Sequence, residues 1–264
     1  MKTHKVIFLI SLTVVLILSS CVTNKKLTYL HYSGMQDNSD MPVRDQGISV
    51  TPSAYKILPY DNLFIRVLTP DPQWSAIFNT MPTGAGGAVT EESASLLGYP
   101  VDVNGDIEIP FIGQMEVAGK TLAEIKVKLD SVFKSYLNDA AITVRLVNNN
   151  ISILGEVTSP GRFPLTRDRI NIFEALAMAG DMSLYSNRQK VQLIRPSPYG
   201  PMVKEFTLAD RSILTSEFYY VMPNDIIYAQ PMKGKGFQNN AAIYTLFLTT
   251  ITTALVIISF FNPR

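Results

Sequence analysis

The chain has 264 residues, of which 47% are hydrophobic and 17% charged, and its formal net charge is +1. This composition excludes disorder throughout the chain and leaves room for two modest domains. The basic residues form no cluster of the kind that marks a nucleic-acid-binding surface, so no nucleic-acid partner is expected. The single cysteine excludes an internal disulfide and a thiolate metal site.

The first 20 residues are predicted to be an export signal. A positively charged start precedes a short apolar run from Val6 to Leu18, which falls short of the ~20 residues that a bilayer-spanning helix needs. The sequence LSSC, ending at Cys21, resembles the lipobox of bacterial lipoproteins. This resemblance implies cleavage before Cys21, a covalent lipid on its thiol and, since no Asp follows, sorting to the outer membrane. The alternative is a stray cysteine at the end of a signal-anchor helix.

A second long apolar run lies near the other end, at 241–261. It carries no charge, and its length predicts a transmembrane α-helix. Polar residues recur there and just upstream at helical spacing, and we interpret these as candidate pore-lining residues of a ring of helices: Gln238, Thr245, Thr249, Thr252 and Ser259. The alternative is that the hydroxyls bond back to the helix carbonyls or hold helices together.

The region between the two apolar runs alternates between strand-like and helix-like segments. Residues 21–52 are polar and rich in turn formers, and we interpret them as a tether. Residues 53–149 are predicted to form a first domain, with a strand at Asn62–Leu68 and a helix capped by Thr121. Residues 69–98 are rich in Pro, Gly, Ser and Ala and are interpreted as a flexible insertion in this domain.

The clearest local signal in the first domain is the pair Asn104-Gly105 between alternating apolar residues, which predicts a hairpin with a type I′ turn. Three carboxylates surround this turn, Asp102, Asp106 and Glu108. They could serve acid–base catalysis, but we interpret them as the solvated face of the hairpin.

Residues 150–231 are predicted to form a second, ββαβββ domain, and residues 232–240 a linker to the last helix. Asn171 is the expected cap of its helix and Gly180 the expected stop. A Pro-x-Asp sequence precedes a strand in both domains, at 59–61 and at 223–225. We interpret both as turns in which Asp bonds its own following backbone.

The sequences YKILPYDNLFIRV, YPVDVNGDIEIPFIGQMEVAGKTLAEIKVKL and AITVRLV resemble the polysaccharide export domain. The sequence from Ile151 to Pro196 resembles a soluble-ligand-binding β-grasp domain. With both apolar ends, the chain is similar to the outer-membrane polysaccharide export family. Two positions depart from the family pattern. Tyr60 replaces the usual glycine, which indicates a turn that needs no positive φ, and Asp181 stands where a second glycine is usual.

The resemblance implies an α+β fold, with a small polysaccharide export domain followed by one β-grasp (ubiquitin-like) domain and a C-terminal transmembrane helix. It implies a homo-oligomeric ring, often of eight copies, that exports capsular or extracellular polysaccharide to the surface of a Gram-negative-type bacterium. The ring would be lipid-anchored in the outer membrane with its folded domains in the periplasm. The implied inner-membrane partner is of the polysaccharide co-polymerase or tyrosine-kinase type.

No catalytic residue, cofactor or metal is expected beyond the lipid on Cys21. After signal cleavage His31 is the remaining histidine, so a histidine-based catalytic triad is not expected. A first alternative is a glycan- or ligand-binding lipoprotein whose last helix is a simple anchor. A second is a glycan-modifying enzyme that uses Asp102, Asp106 or Glu108.

Overall fold

A computed structural model describes residues 28–30, 53–79, 98–137, 139–232, 235 and 240–261. The predicted signal peptide, Cys21, Gln238 and most of both the tether and the insertion lie outside the described residues. The described chain is a mixture of α-helices and β-sheets, with two separate hydrophobic cores.

The first unit is built around strand β1, which has an antiparallel partner on each side in the sheet order β2-β1-β5. Strands β3 and β4 form a separate two-stranded hairpin. The elements of this unit are β1 (Asn62–Leu68), α1 (Pro72–Phe78), β2 (Tyr99–Pro100), β3 (Asp106–Ile109), β4 (Gly113–Glu116), α2 (Leu122–Phe133) and β5 (Ala141–Leu146). The predicted strand at β1 is therefore confirmed.

Helix α2 begins where its capping box predicts. The Thr121 hydroxyl accepts from the Glu124 N–H, and the Glu124 carboxylate accepts from the Thr121 N–H at 2.7 Å. The helix then buries Ile125, Leu129 and Phe133 at i, i+4 and i+8 against the sheet, which forms the first core. Local capping and one apolar stripe are thus sufficient to place this helix.

The predicted type I′ turn at Asn104-Gly105 is wrong. A type I′ turn needs positive φ at both central residues, and of this pair only Gly105 has it, at +91°. The Asp102 carboxylate accepts from the N–H groups of Asn104 and Asp106, and this side-chain turn lets Asn104 keep ordinary backbone angles. The paired hairpin lies downstream, where β3 and β4 are joined by residues 110–112.

The second unit has a five-stranded mixed sheet in the order β7-β6-β10-β8-β9, in which β6 and β10 are parallel. Its elements are β6 (Asn150–Gly155), β7 (Gly161–Pro164), α3 (Ile172–Met178), β8 (Ser186–Arg195), β9 (Met202–Phe206), a 3₁₀ helix (Arg211–Thr215) and β10 (Ile226–Pro231). The predicted ββαβββ order is confirmed. Asn171 caps α3 in a second capping box, and Gly180 follows the helix with φ +72°.

The two Pro-x-Asp sequences fold into the same turn. Tyr60 has φ +71° and Asn224 has φ +64°, and in each turn the Asp N–H donates to the carbonyl three residues earlier. The carboxylates also bond backwards, because Asp61 accepts from the Leu58 N–H and Asp225 from the Met222 N–H. The predictions that Tyr60 avoids positive φ and that each Asp bonds its following backbone are therefore wrong. Pro at the first central position and a left-handed second residue are the pattern of a type II turn.

These two turns meet where the units join. The buried Asp61 carboxylate accepts from Tyr55 at 2.8 Å, from the Asn148 side chain at 3.0 Å and from the Asn224 side chain at 3.4 Å. The Asn224 N–H donates to the carbonyl of Asn150, at the start of β6. A turn from each unit thus shares one carboxylate, which ties the units together.

Replacing Tyr60 by glycine is expected to raise the free energy of unfolding by about 0.5–1 kcal/mol, because glycine adopts positive φ without steric cost. The Tyr60 side chain is 79% exposed, so little packing is lost. Chemical denaturation measures the change. Tyr199→Gly is the matched control, because Tyr199 is fully exposed and is not among the described residues with positive φ. The expectation fails if both substitutions destabilise the chain equally.

The last helix, α4 (Ala241–Phe261), forms over the predicted residues. Its described side chains are all exposed. Within the described part of the chain, no helix combines the length and the apolar character needed to cross a membrane. The prediction that residues 241–261 are a transmembrane helix is therefore not supported.

Candidate functional site

Three of the five predicted pore-lining residues have described side chains, and all lie on α4. Thr245, Thr249 and Thr252 each donate a hydrogen bond to a backbone carbonyl three or four residues earlier, at 2.9–3.0 Å. Thr250 and Thr253, which are not in the predicted stripe, do the same at 2.8 Å. This bonding matches the alternative drawn from the sequence. A hydroxyl that donates in this way still has lone pairs to accept a hydrogen bond, so the pore-lining role stays a prediction. Ser259 falls within α4, but its side chain is outside the described residues.

Asp102, Asp106 and Glu108 line a groove of about 450 Å³, which Pro100, Pro110 and Gln114 also border. Asp102 is held as an acceptor in its turn, and the N–H of Asp106 is the main cause that lowers the pKa of Asp102. A general acid needs a pKa near the working pH, so this shift is in the wrong direction for proton donation. Glu108 faces Gln114 across the hairpin, on its exposed side. The geometry agrees with a solvated hairpin face.

No group of three or more metal-ligating side chains lies together among the described residues.

The structure gathers both chain extensions at one corner of the second unit, which is made by residues 156–158 and 181–185. The backbone links the two segments, because the Ser183 N–H donates to the Glu156 carbonyl and the Thr158 N–H to that of Asp181. Asp181 has φ +70°, and it stands where the family pattern has a glycine. We call this feature the docking corner.

The N-terminal extension reaches the docking corner through Tyr29. The Tyr29 hydroxyl donates to the Asp181 carboxylate, and its ring packs edge-to-face on Phe173 with centroids 5.8 Å apart. The Arg188 guanidinium lies 4.8 Å from the centre of the Tyr29 ring. Arg188 is 6% exposed, and its Nε and Nη1 atoms have no hydrogen-bond partner among the described residues. The aromatic face therefore supplies part of the contact that this buried cation needs.

The C-terminal extension reaches the same corner through Lys235. Its ammonium group pairs with the Glu156 carboxylate, which also accepts from the Ser183 hydroxyl at 3.1 Å. The Lys235 contact is the main cause that lowers the pKa of Glu156. The Met232 N–H also donates to the Tyr185 carbonyl at 2.7 Å.

The contact made by Tyr29 was not anticipated from the sequence, which assigned residues 21–52 to a tether. The signal was the apolar and aromatic stretch LTYLHY inside an otherwise polar segment. Such a short stretch has no periodicity, so it could not reveal which distant residues it contacts.

The Tyr29 contact should weaken in strong alkali. Burial first, and then the hydrogen bond to Asp181, raise the pKa of Tyr29 to about 12. Because the phenol ionises at about 10 in the unfolded chain, its contribution to stability is complete below that pH and is lost as the pH rises through 12. Absorbance titration of tyrosinate should show one tyrosine fewer ionising near pH 12 in Tyr29→Phe. An unchanged titration curve would contradict this assignment.

Comparison with known proteins identifies the class to which the first unit belongs. Residues 49–147 match the family described as "Polysaccharide biosynthesis/export protein". This match confirms the resemblance of the first unit to the polysaccharide export domain. The family is one of export proteins and not a known enzyme family.

The similar proteins are named for the same process. The EPS I polysaccharide export outer membrane protein EpsA of Ralstonia nicotianae is 30% identical over 105 residues, which cover 38% of this chain and 28% of that protein. The capsule polysaccharide export outer membrane protein CtrA of Neisseria meningitidis serogroup A is 27% identical over 126 residues, covering 47% of this chain and 32% of CtrA. The capsule polysaccharide export protein BexD of Haemophilus influenzae is 30% identical over 112 residues, covering 42% and 28%. The chain thus spans about a third or less of the length of these relatives.

Proposed function

We propose that the chain is a lipid-anchored component of polysaccharide export at the outer membrane. The observation that carries the proposal is the match of residues 49–147, nearly the whole first unit, to the polysaccharide export family. EpsA and CtrA are named as outer membrane proteins, which supports the same location here. The proposal includes acylation of Cys21, which is supported by the resemblance of LSSC to a lipobox. It also includes a β-grasp identity for the second unit, which is supported by the strand order of its sheet.

In this proposal several copies associate into a ring around a channel for the polysaccharide. The exposed apolar surface of α4 supports association, because such a surface is stabilised when a second copy covers it. The stripe of Thr245, Thr249, Thr252, Ser259 and Gln238 would line the opening, where hydroxyls and amides exchange hydrogen bonds with glycan and water. The inner-membrane partner of the co-polymerase or tyrosine-kinase type is supported by the family resemblance.

Substitution on two faces of α4 tests the channel. A strain that lacks the chain is complemented with Thr245→Leu/Thr249→Leu or with the matched control Thr250→Leu/Thr253→Leu. Each variant loses two hydroxyls that bond the same kind of carbonyl. Surface polysaccharide should fall only in the first variant. Equal export from both, at equal protein levels, would remove the lumen role.

Acylation has a separate test, in which Cys21 is replaced by serine. The precursor should remain uncleaved and should be missing from the outer-membrane fraction, because serine has no thiol to acylate. Mass spectrometry of the wild-type N-terminus should find Cys21 carrying lipid. Normal processing and location of Cys21→Ser would contradict the lipoprotein assignment.

A glycan- or ligand-binding lipoprotein without a channel is the second candidate. This function is favoured because the Thr245 and Thr249 hydroxyls donate hydrogen bonds to backbone carbonyls of α4 itself. In that case the helix would serve as an anchor alone. Imaging of detergent-extracted particles separates the two functions. A ring with a central opening supports the channel, and a monomer supports the binding protein.

A further inference from the structure

The docking corner exposes two large apolar side chains. Leu184 is 74% exposed and Tyr185 is 39% exposed, and both lie in the loop between α3 and β8. Exposed apolar residues that lie side by side, at the point where the chain leaves the folded body, favour an interaction surface.

Both chain extensions leave the folded body at this corner. Tyr29 is eight residues from Cys21, and an extended chain of that length spans at most about 29 Å. On the other side, Lys235 is six residues before the start of α4. An acyl group on Cys21 would therefore keep the corner close to the bilayer.

The first unit lies at the opposite end of the same sheet. Strand β8 runs for ten residues from Ser186, beside the corner, to Arg195, and so spans about 30 Å. Arg195 pairs with Asp225, the last residue of the turn whose Asn224 side chain contacts Asp61 of the first unit. The sheet therefore separates the corner from the junction between the units.

We propose that the docking corner is a membrane-docking surface, in which Leu184 and Tyr185 enter the interface of the bilayer that holds the acyl chains. This inference rests on the proposed acylation of Cys21. Tyrosine favours the membrane interface, because its ring is apolar and its hydroxyl stays hydrated. Lys235 neutralises Glu156, and the second carboxylate of the corner, Asp181, accepts a hydrogen bond from the Tyr29 hydroxyl, so neither carboxylate faces the headgroups without a partner. The second unit then lies next to the membrane, and the first unit hangs away from it.

Depth-dependent fluorescence quenching tests this orientation. The full-length acylated Leu184→Cys variant is labelled at position 184 with an environment-sensitive maleimide fluorophore. It is then reconstituted into phosphatidylethanolamine/phosphatidylglycerol vesicles. Lipids carrying a nitroxide are the quencher. Tyr199→Cys is the matched control, because Tyr199 is fully exposed in the turn after β8, at the far end of the sheet. The wild-type chain controls for labelling of Cys21.

The nitroxide lipids should quench the fluorescence of a label at position 184. They should not quench the fluorescence of a label at position 199. Loss at neither position, or equal loss at both, overturns the docking proposal while acylation stands. A wild-type chain that takes up the maleimide has a free Cys21 thiol. That result would overturn the proposed acylation, and the docking proposal that rests on it would fail too. Failure of acylation is therefore distinguishable from failure of docking alone.

Discussion

Replacing Asp225 by alanine is expected to lower the free energy of unfolding by about 3–5 kcal/mol, the cost of leaving a buried charge unpaired. The Asp225 side chain is fully buried and accepts from Arg195 at 2.9 and 2.7 Å in a bidentate pair. It also accepts from the Met222 N–H at 2.7 Å. Burial raises the pKa of Asp225, and the Arg195 guanidinium opposes that rise. Truncation would leave the Arg195 guanidinium and the Met222 N–H buried without this carboxylate as their acceptor.

Chemical denaturation followed by circular dichroism measures this loss. Lys190→Ala is the matched control, because it removes an exposed ion pair, with Glu205 at 3.7 Å, from the same sheet. That control should change stability by less than about 1 kcal/mol. If Asp225→Ala has an equally small effect, the buried pair does not organise the junction.

The second large effect is expected at Phe133, in the core of the first unit. Phe133→Ala should cost about 3–5 kcal/mol, because truncating a buried aromatic residue leaves a cavity. Phe133 is 1% exposed and packs edge-to-face on Phe78, with centroids 5.0 Å apart. This contact also joins α2 to α1.

Denaturation of Phe133→Ala should be compared with that of Tyr136→Ala. Tyr136 follows α2 and is 54% exposed, so its truncation should change stability by about 0.5 kcal/mol or less. Equal losses from the two variants would show that the first core does not depend on this aromatic pair.

Local signals predicted much of the fold. The capping boxes at Thr121 and Asn171 specify where two helices begin, because each satisfies backbone N–H groups within one turn of chain. Strand β1 was read from alternation, and β1 buries Leu63, Ile65 and Val67 on one face. These signals need no knowledge of distant residues.

The error at Tyr60 arose because a distant contact overrides local preference. Tyr60 and Asp181 both occupy positions usual for glycine, and both adopt positive φ, with values of +71° and +70°. The Tyr60 N–H donates to the distant Val101 carbonyl, whereas the Asp181 N–H donates to the Leu176 carbonyl within the turn that ends α3. A departure from a glycine pattern therefore indicated a strained residue and not a different turn. Tyr29 was missed for a related reason, because its partners lie more than 140 residues away.

The docking corner has a mechanical consequence. Tyr29 and Lys235 attach to the second unit, and the Leu30 N–H donates to the Leu208 carbonyl of that same unit. The first unit is therefore an insertion between two segments that the second unit holds. A force applied between the two ends of the chain would be carried by these contacts and would leave the first unit under no tension. Movement of either anchored end would then shift the first unit as a rigid body without pulling it open.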